Sequence, residues 1–129
     1  MSDAAESEVL DVLDRFCAAF AARNAEAALA LFAPDPEVAV VTSEPPLMRG
    51  IGELKRFMEG YVAGETTYSW KWDRRQASVR GGLAWLLAEG TETAAGPGGE
   101  ERHPYRMTMV LERAADHWLL RQVHGSSPN

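Results

Sequence analysis

The chain has 129 residues, 46% of them hydrophobic and 25% charged, which suits one globular domain with a core of its own. A formal net charge of −6, with only two lysines (Lys55 and Lys71), speaks against a nucleic-acid surface. The single cysteine, Cys17, excludes an internal disulfide, and no apolar run approaches the roughly 18 residues of a membrane-spanning helix.

Residues 1–6 are expected to be loose, and their acidic character lacks the basic and apolar regions of a signal peptide, so the expected location is the cytoplasm. From Glu8 to Ala22, Val9, Leu10, Val12, Leu13, Phe16, Cys17 and Phe20 recur at helical spacing and predict an amphipathic helix. Cys17 lies among Phe16, Ala18, Ala19 and Phe20 and reads as a small buried hydrophobe. Asn24 is a candidate N-cap for a short helix over residues 25–32, which Pro34 and Pro36 end. A short strand over 37–42 and a loop over 43–46 follow. Gly50 then opens a third helix over 51–62, with Leu54, Phe57, Met58, Tyr61 and Val62 inward and Gly64 as its stop.

The remainder reads as strands. Tyr68, Trp70 and Trp72 share one parity while Ala77 and Val79 share the other, so the strand over 68–79 is expected to carry a β-bulge near Arg74–Gln76. Strands over 83–94, 105–113 and 118–124 follow, joined by a loose loop at 95–99 and a tighter one at 114–116. The last two strands are apolar on both parities, so both faces of their sheet need cover. Helices followed by antiparallel strands predict an α+β fold: a strongly bent sheet covered by three N-terminal helices, forming a cone around a mostly apolar pocket, in one domain over 1–129 with a loose end at 126–129.

Centring the two hairpin loops places Glu89 opposite Arg106 and Leu87 opposite Thr108, then Arg106 opposite His124 and Thr108 opposite Gln122. On that register Trp85, Leu87, Glu89, Arg106, Thr108, Val110, Trp118, Leu120, Gln122 and His124 share a face, which Trp70 and Trp72 join through the bulge. Tryptophans around a Glu–Arg–His group suit a small-molecule site, since such sites are mostly apolar with a few convergent polar groups. The candidate catalytic residues are His124 as proton carrier, Arg106 as oxyanion or carboxylate holder, and Glu89 as base or as the group orienting Arg106. The candidate ligand-binding residues are Phe16, Phe20, Tyr61, Trp70, Trp72, Trp85, Thr108 and Gln122. Glu89–Arg106 also reads as a plain cross-strand pair, and His103 and His117 flank turns and read as solvated. No His, Cys, Asp or Glu spacing suggests a metal site, and no cofactor is expected.

The order Leu13–Phe20, Ala28–Ala33, the Gly50 helix, Tyr105-Arg106-Met107-Thr108 and the Trp118 strand ending in His124-Gly125-Ser126 resembles the SnoaL-like branch of the nuclear transport factor two-like superfamily, also described as cystatin-like. The resemblance covers nearly the whole chain. It implies the bent-sheet fold, and it implies no single function, because the superfamily hosts isomerases, cyclases, epoxide hydrolases, dehydratases and association domains. Ketosteroid isomerases of this superfamily use a helix-one tyrosine, an aspartate base on the first strand and a protonated aspartate on a later strand. Here Phe16 stands at the tyrosine position, Val38–Ser43 holds no carboxylate, and the later donor falls near Thr108 or Met109, so that mechanism is not expected. For the aspartate base usually described in polyketide cyclases, the strands offer Glu89, Asp73 and His124. Two function classes stand: a binding or association module of undetermined ligand, or an acid–base enzyme of isomerase, cyclase or dehydratase type acting on a small apolar molecule. A homodimer is expected through the face of Met107, Met109 and Leu111 with Leu119 and Val123, paired about a two-fold axis.

Overall fold

The computed structural model describes residues 2–43 and 47–127. The chain runs α1 (Ser2–Ala21), α2 (Ala25–Leu29), β1 (Ala39–Val41), β2 (Met48–Arg49), α3 (Ile51–Ala63), β3 (Thr67–Arg80), β4 (Leu83–Gly96), β5 (Gly99–Ala114) and β6 (His117–Ser126). The strands form one six-stranded sheet in the order β2-β1-β6-β5-β4-β3. All pairings are antiparallel except β1 with β6, which is parallel. This is the expected α+β architecture. Helix α1 starts at Ser2 rather than near Glu8, so the N-terminal segment expected to be loose is helical. The expected loop residues 44–46 and tail residues 128–129 lie outside the described residues, while Ser126 is still in β6.

Helix α1 buries Val9, Val12, Leu13, Phe16, Ala19 and Phe20, the stripe its sequence spacing dictates, mainly against β3. It ends in a Schellman motif: the Asn24 N–H donates to the Ala19 carbonyl at 2.9 Å and the Arg23 N–H to Phe20 at 3.0 Å. Arg23 holds the left-handed position at φ 55°, where glycine is the usual choice. Asn24 then caps α2, its Oδ1 accepting from the Ala27 N–H at 3.0 Å. On α3 the buried stripe is Leu54, Met58 and Tyr61; Phe57 and Val62, expected inward, are exposed on its flanks.

Two bulges set which side chains meet the helices. In β3 the register shifts between Trp72 and Arg74, leaving Asp73 as the extra residue. The bulge sits just before the expected place and unites Tyr68, Trp70 and Trp72 with Ala77 and Val79 on the inner face. In β6, Val110 pairs with Gln122 but Leu111 pairs with Leu120, so Arg121 is extra. That second bulge has no counterpart in the expected register, and it turns Trp118 and Leu120 inward.

The inner face of the central strands is Ala84, Leu86, Ala88, Tyr105, Met107, Met109, Leu111 and Val123, all buried in the chain's own core. The face assignment from sequence is therefore inverted for β4, β5 and the end of β6, while Trp70, Trp72, Trp118 and Leu120 do stand inward. Met107, Met109, Leu111 and Val123 cover the inside of the sheet and are not an outer surface; Leu119 is half-buried. Trp85, Glu89, Arg106, Thr108, Gln122 and His124 lie on the outer face, exposed. The physical reason is size and polarity. The inner parity of β4, Ala84, Leu86, Ala88 and Gly90, is apolar and mostly small, whereas the other carries Trp85, Leu87 and Glu89, whose carboxylate would be costly to bury.

The turn after α2 is tied to β6 by charge. The Arg121 guanidinium bonds to Asp35 and lies 3.5 Å from Glu37 and 3.7 Å from Glu112. Asp35 also accepts the Glu37 N–H at 2.8 Å. That backbone bond first, and Arg121 second, hold the Asp35 carboxyl below the usual carboxylate range. A carboxyl depressed by folding adds stability above its unfolded pKa of about 3.9 and loses it as pH falls through the folded value. The urea midpoint should therefore drop below about pH 4, and Asp35→Asn should remove part of that drop. Equal acid slopes for both proteins would contradict this.

Candidate functional site

The sequence-predicted site residues separate onto two faces. Glu89 and Arg106 pair in the expected register, with Nε to Oε2 at 3.1 Å. Both side chains are about half exposed or more, which makes the pair worth at most about 1 kcal/mol. His124 pairs with Thr108 rather than with Arg106, because the tight turn and the Arg121 bulge together move β6 by two residues at that point. A shallow depression of about 250 Å³ lies on this outer face, lined by Arg74, Gln76, Leu87, Glu89, Arg106 and Thr108 among others. Trp85 and Gln122 stand beside it, on the rows where Trp85 meets Val110 and Val110 meets Gln122.

Phe16, Phe20, Tyr61, Trp70 and Trp72 lie on the other side of the sheet. There the rings are in contact: Phe16 with Phe20 at 4.8 Å between centroids, Phe20 with Tyr61 at 5.1 Å, Phe20 with Trp70 at 5.4 Å, and Trp70 stacked on Trp72 at 6.4 Å. Such distances are those of packed rings. The Tyr61 hydroxyl is also fully used, donating to the Phe20 carbonyl at 2.9 Å and accepting from the Tyr68 N–H at 2.8 Å. These aromatics pack against one another on the inside of the bent sheet.

One polar group sits in this aromatic surface. Glu92 on β4 is 7% exposed, the only charged side chain among the buried residues described. Trp70 Nε1 donates to its Oε2 at 2.9 Å, and His103 Nε2 lies 2.8 Å from its Oε1. Glu92 and His103 are register partners across the β4–β5 hairpin. The Tyr105 ring is 6.3 Å from the His103 ring and 6.1 Å from Trp70. Burial, and then the Glu92 carboxylate and Tyr68, push the Tyr105 phenol well above its ordinary value, so it stays a hydrogen-bond donor. A side chain on Gly125 would lie 2.3 Å from the Tyr105 hydroxyl, so only glycine lets β6 pass that close.

The sequence reading missed Glu92 and took His103 as solvated. The signal was available: the register that sets Glu89 against Arg106 also sets Glu92 against His103, three residues further along each strand. Only the face was misjudged. Cys17, read as buried, is half-buried and packs against the core, and desolvation pushes its thiol up to about 11, with the neighbouring Trp72 indole opposing this in part. Trp72 Nε1 is buried without an acceptor in hydrogen-bond geometry among the described residues, so that contact is loose. Among the described residues no group of three or more His, Cys, Asp or Glu stands close enough to hold a metal ion, and no helix is long and apolar enough to cross a membrane.

The sequence pattern of the SnoaL-like domain matches residues 9–129. The chain belongs to the SnoaL-like family. Solved structures agree with the fold. A provisionally assigned dehydratase of the nuclear transport factor two-like family from Streptomyces avermitilis superposes with a TM-score of 0.89 at 21% identity, covering 100% of this chain and 99% of that one. A nuclear transport factor two-like superfamily protein from Salmonella enterica serovar Typhimurium gives 0.88 at 17% identity, with 100% and 94% covered. A provisionally assigned calcium/calmodulin-dependent protein kinase II association domain from Xanthomonas campestris gives 0.78 at 20% identity, with 94% and 86% covered. At such identities the likeness is one of fold. No curated protein sequence matches this SnoaL-like chain.

Proposed function

We propose that this SnoaL-like domain is an association module that pairs with a second copy of itself through the outer face of its sheet. The supporting observation is a contiguous apolar row on the central strands: Leu83 is 51% exposed, Trp85 42%, Leu87 52% and Val110 38%. Trp85 and Val110 are direct cross-strand partners, and Leu83 and Leu87 flank Trp85 on the same face. The helices pack on the opposite side, so nothing described in the chain covers this row. Monomers rarely leave such a patch bare. Around it stand Gln76, Glu89, Arg106, Thr108, Glu112 and Gln122, a polar rim around an apolar centre, as interfaces are built. Glu89 and Arg106 give the rim both signs of charge, which lets the face oppose a copy of itself about a two-fold axis.

This surface replaces the one read from sequence, whose methionines are core. Both function classes have fold relatives, one assigned to the dehydratases and one to association domains, so the fold does not choose between them. The packed aromatics favour association. A tryptophan at the middle of an interface is a common energetic anchor. Trp85→Glu should raise the dimer dissociation constant about a hundredfold, roughly 3 kcal/mol, with an unchanged circular dichroism spectrum. A dimer that survives both Trp85→Glu and Leu87→Glu in light scattering would overturn the reading.

A further inference from the structure

The depression on the outer face gathers positive charge that its own side chains do not neutralise. Arg74, Glu89 and Arg106 form one row across β3, β4 and β5, each the register partner of the next. Two guanidiniums thus flank one carboxylate. Arg106 holds Glu89 through Nε alone, at 3.1 Å. The terminal nitrogens of Arg106 and the whole Arg74 guanidinium have no bonding partner among the described residues. On a convex surface such groups would mean little. Here they line a hollow, with Leu87, the Thr108 hydroxyl and the Gln76 amide on the neighbouring row.

Charge, shape and size each narrow what the hollow takes. Two cations and one anion leave a single positive charge, which one monovalent anion balances and a dianion overshoots. Guanidinium forks match a planar carboxylate with paired hydrogen bonds. A volume of about 250 Å³ lies below the roughly 300–1,000 Å³ of most small-molecule clefts, so the ligand is small. Leu87, half exposed, offers it an apolar contact. We propose that the depression binds a small organic monocarboxylate, with its carboxylate between Arg74 and Arg106 and its apolar body on Leu87. The site is complete in one chain, so the inference goes beyond the pairing proposed above and does not depend on it, though the two share Leu87. Of the roles expected for Arg106 it keeps that of carboxylate holder.

The probe is benzoate, titrated while the ¹⁵N resonances of the arginine side chains are followed. Both guanidiniums are exposed, so a dissociation constant on the order of 1 mM is expected. Benzamide has the same shape without the charge and should bind at least about tenfold more weakly. Arg74→Gln leaves the Glu89–Arg106 pair in place and should weaken benzoate about fivefold. Lys71→Gln removes an exposed cation from the same strand outside the depression and should change the constant by less than about twofold.

Glu89→Gln gives a readout of the opposite sign. It removes the one negative charge beside the bound carboxylate and releases Nε of Arg106, so benzoate should bind about fivefold more tightly. A purely structural ion pair predicts no such gain. The three substituted positions are exposed, so the variants should keep the wild-type circular dichroism spectrum. Titrations at protein concentrations where the chain is single and where it is paired should give the same constant. Three results would overturn the proposal. The first is an absence of benzoate-dependent shifts at Arg74 and Arg106. The second is an equal loss in Arg74→Gln and Lys71→Gln, which would mean diffuse surface charge only. The third is exclusion of benzoate from the paired form, which would mean that the second copy fills the depression. The mass of the species is read separately, so a failure of pairing and a failure of binding remain distinct.

Discussion

Gly90→Ala is expected to cost about 3–5 kcal/mol and to lower the melting temperature by roughly 10 °C or more. The cause is covalent geometry and not flexibility. A Cβ on Gly90 would lie 2.0 Å from the Lys71 carbonyl oxygen and 2.8 Å from the Trp72 Cα. Both are backbone atoms, so no side chain can turn aside to make room. Gly90 is the register partner of Trp72, the last residue before the β3 bulge at Asp73. The bulge draws the β3 backbone across the inner side of β4 at this point, and glycine is the residue that lets two backbones approach so closely. Relief would require β3 to move, and with it Trp70 and Trp72, which stack on each other over the core. A denaturation midpoint for Gly90→Ala within about 1 kcal/mol of wild type would show that the close approach is not what holds the bulge.

Arg23→Ala is the second large effect, expected at about 3–4 kcal/mol. The guanidinium donates to the Thr66 carbonyl at 2.7 Å, the Thr67 hydroxyl at 2.9 Å, the Val62 carbonyl at 2.8 Å, the Tyr61 carbonyl at 3.0 Å and also to the Gly64 carbonyl. Tyr61, Val62 and Gly64 close α3, where the last carbonyls run short of helical partners (Tyr61 accepts only the Gly64 cap N–H, at 3.2 Å) and carry its negative dipole end. One side chain from the end of α1 thus caps α3 and fastens the start of β3. Each bond from a charged donor contributes about 1.5–3 kcal/mol in isolation, but bonds that share one side chain do not add. Arg23→Lys should recover less than half of the loss, because an ammonium has three donors on a single nitrogen and cannot reach acceptors spread along the fork. Arg23→Gly should be less damaging than Arg23→Ala by about 0.5–1 kcal/mol, since glycine adopts the positive φ without strain. Equal stabilities for the alanine and wild-type proteins would refute the capping role.

Much of the fold was legible because its signals are local. The α1 stripe, the Asn24 cap, the Gly64 stop and the Glu89–Arg106 register follow from spacing and turn chemistry, and the structure has each of them. The β3 bulge could be located from the change of phase between Trp72 and Ala77. What escaped was a global choice. With both parities of β4 and β5 apolar, periodicity does not say which face meets the helices. The features that separate the two parities are mean size and polarity: Ala84, Leu86, Ala88 and Gly90 on one, against Trp85, Leu87 and Glu89 on the other. The Arg121 bulge was equally silent, because an apolar Trp118-Leu119-Leu120 run reads the same in either phase. One wrong face then split the candidate site, carrying Glu89, Arg106 and His124 outward, away from Phe16, Phe20, Tyr61, Trp70 and Trp72, and leaving Glu92 and His103 unnoticed. Arg23 was hidden for a different reason: its acceptors lie some forty residues away along the chain.

The central claim is that the exposed row around Trp85 is covered by a second copy. Sedimentation equilibrium of the wild-type protein at micromolar concentration tests it most directly. A species of twice the 14.1 kDa chain mass is expected, dissociating on dilution and lost in Trp85→Glu. A single-chain mass throughout that range would contradict it.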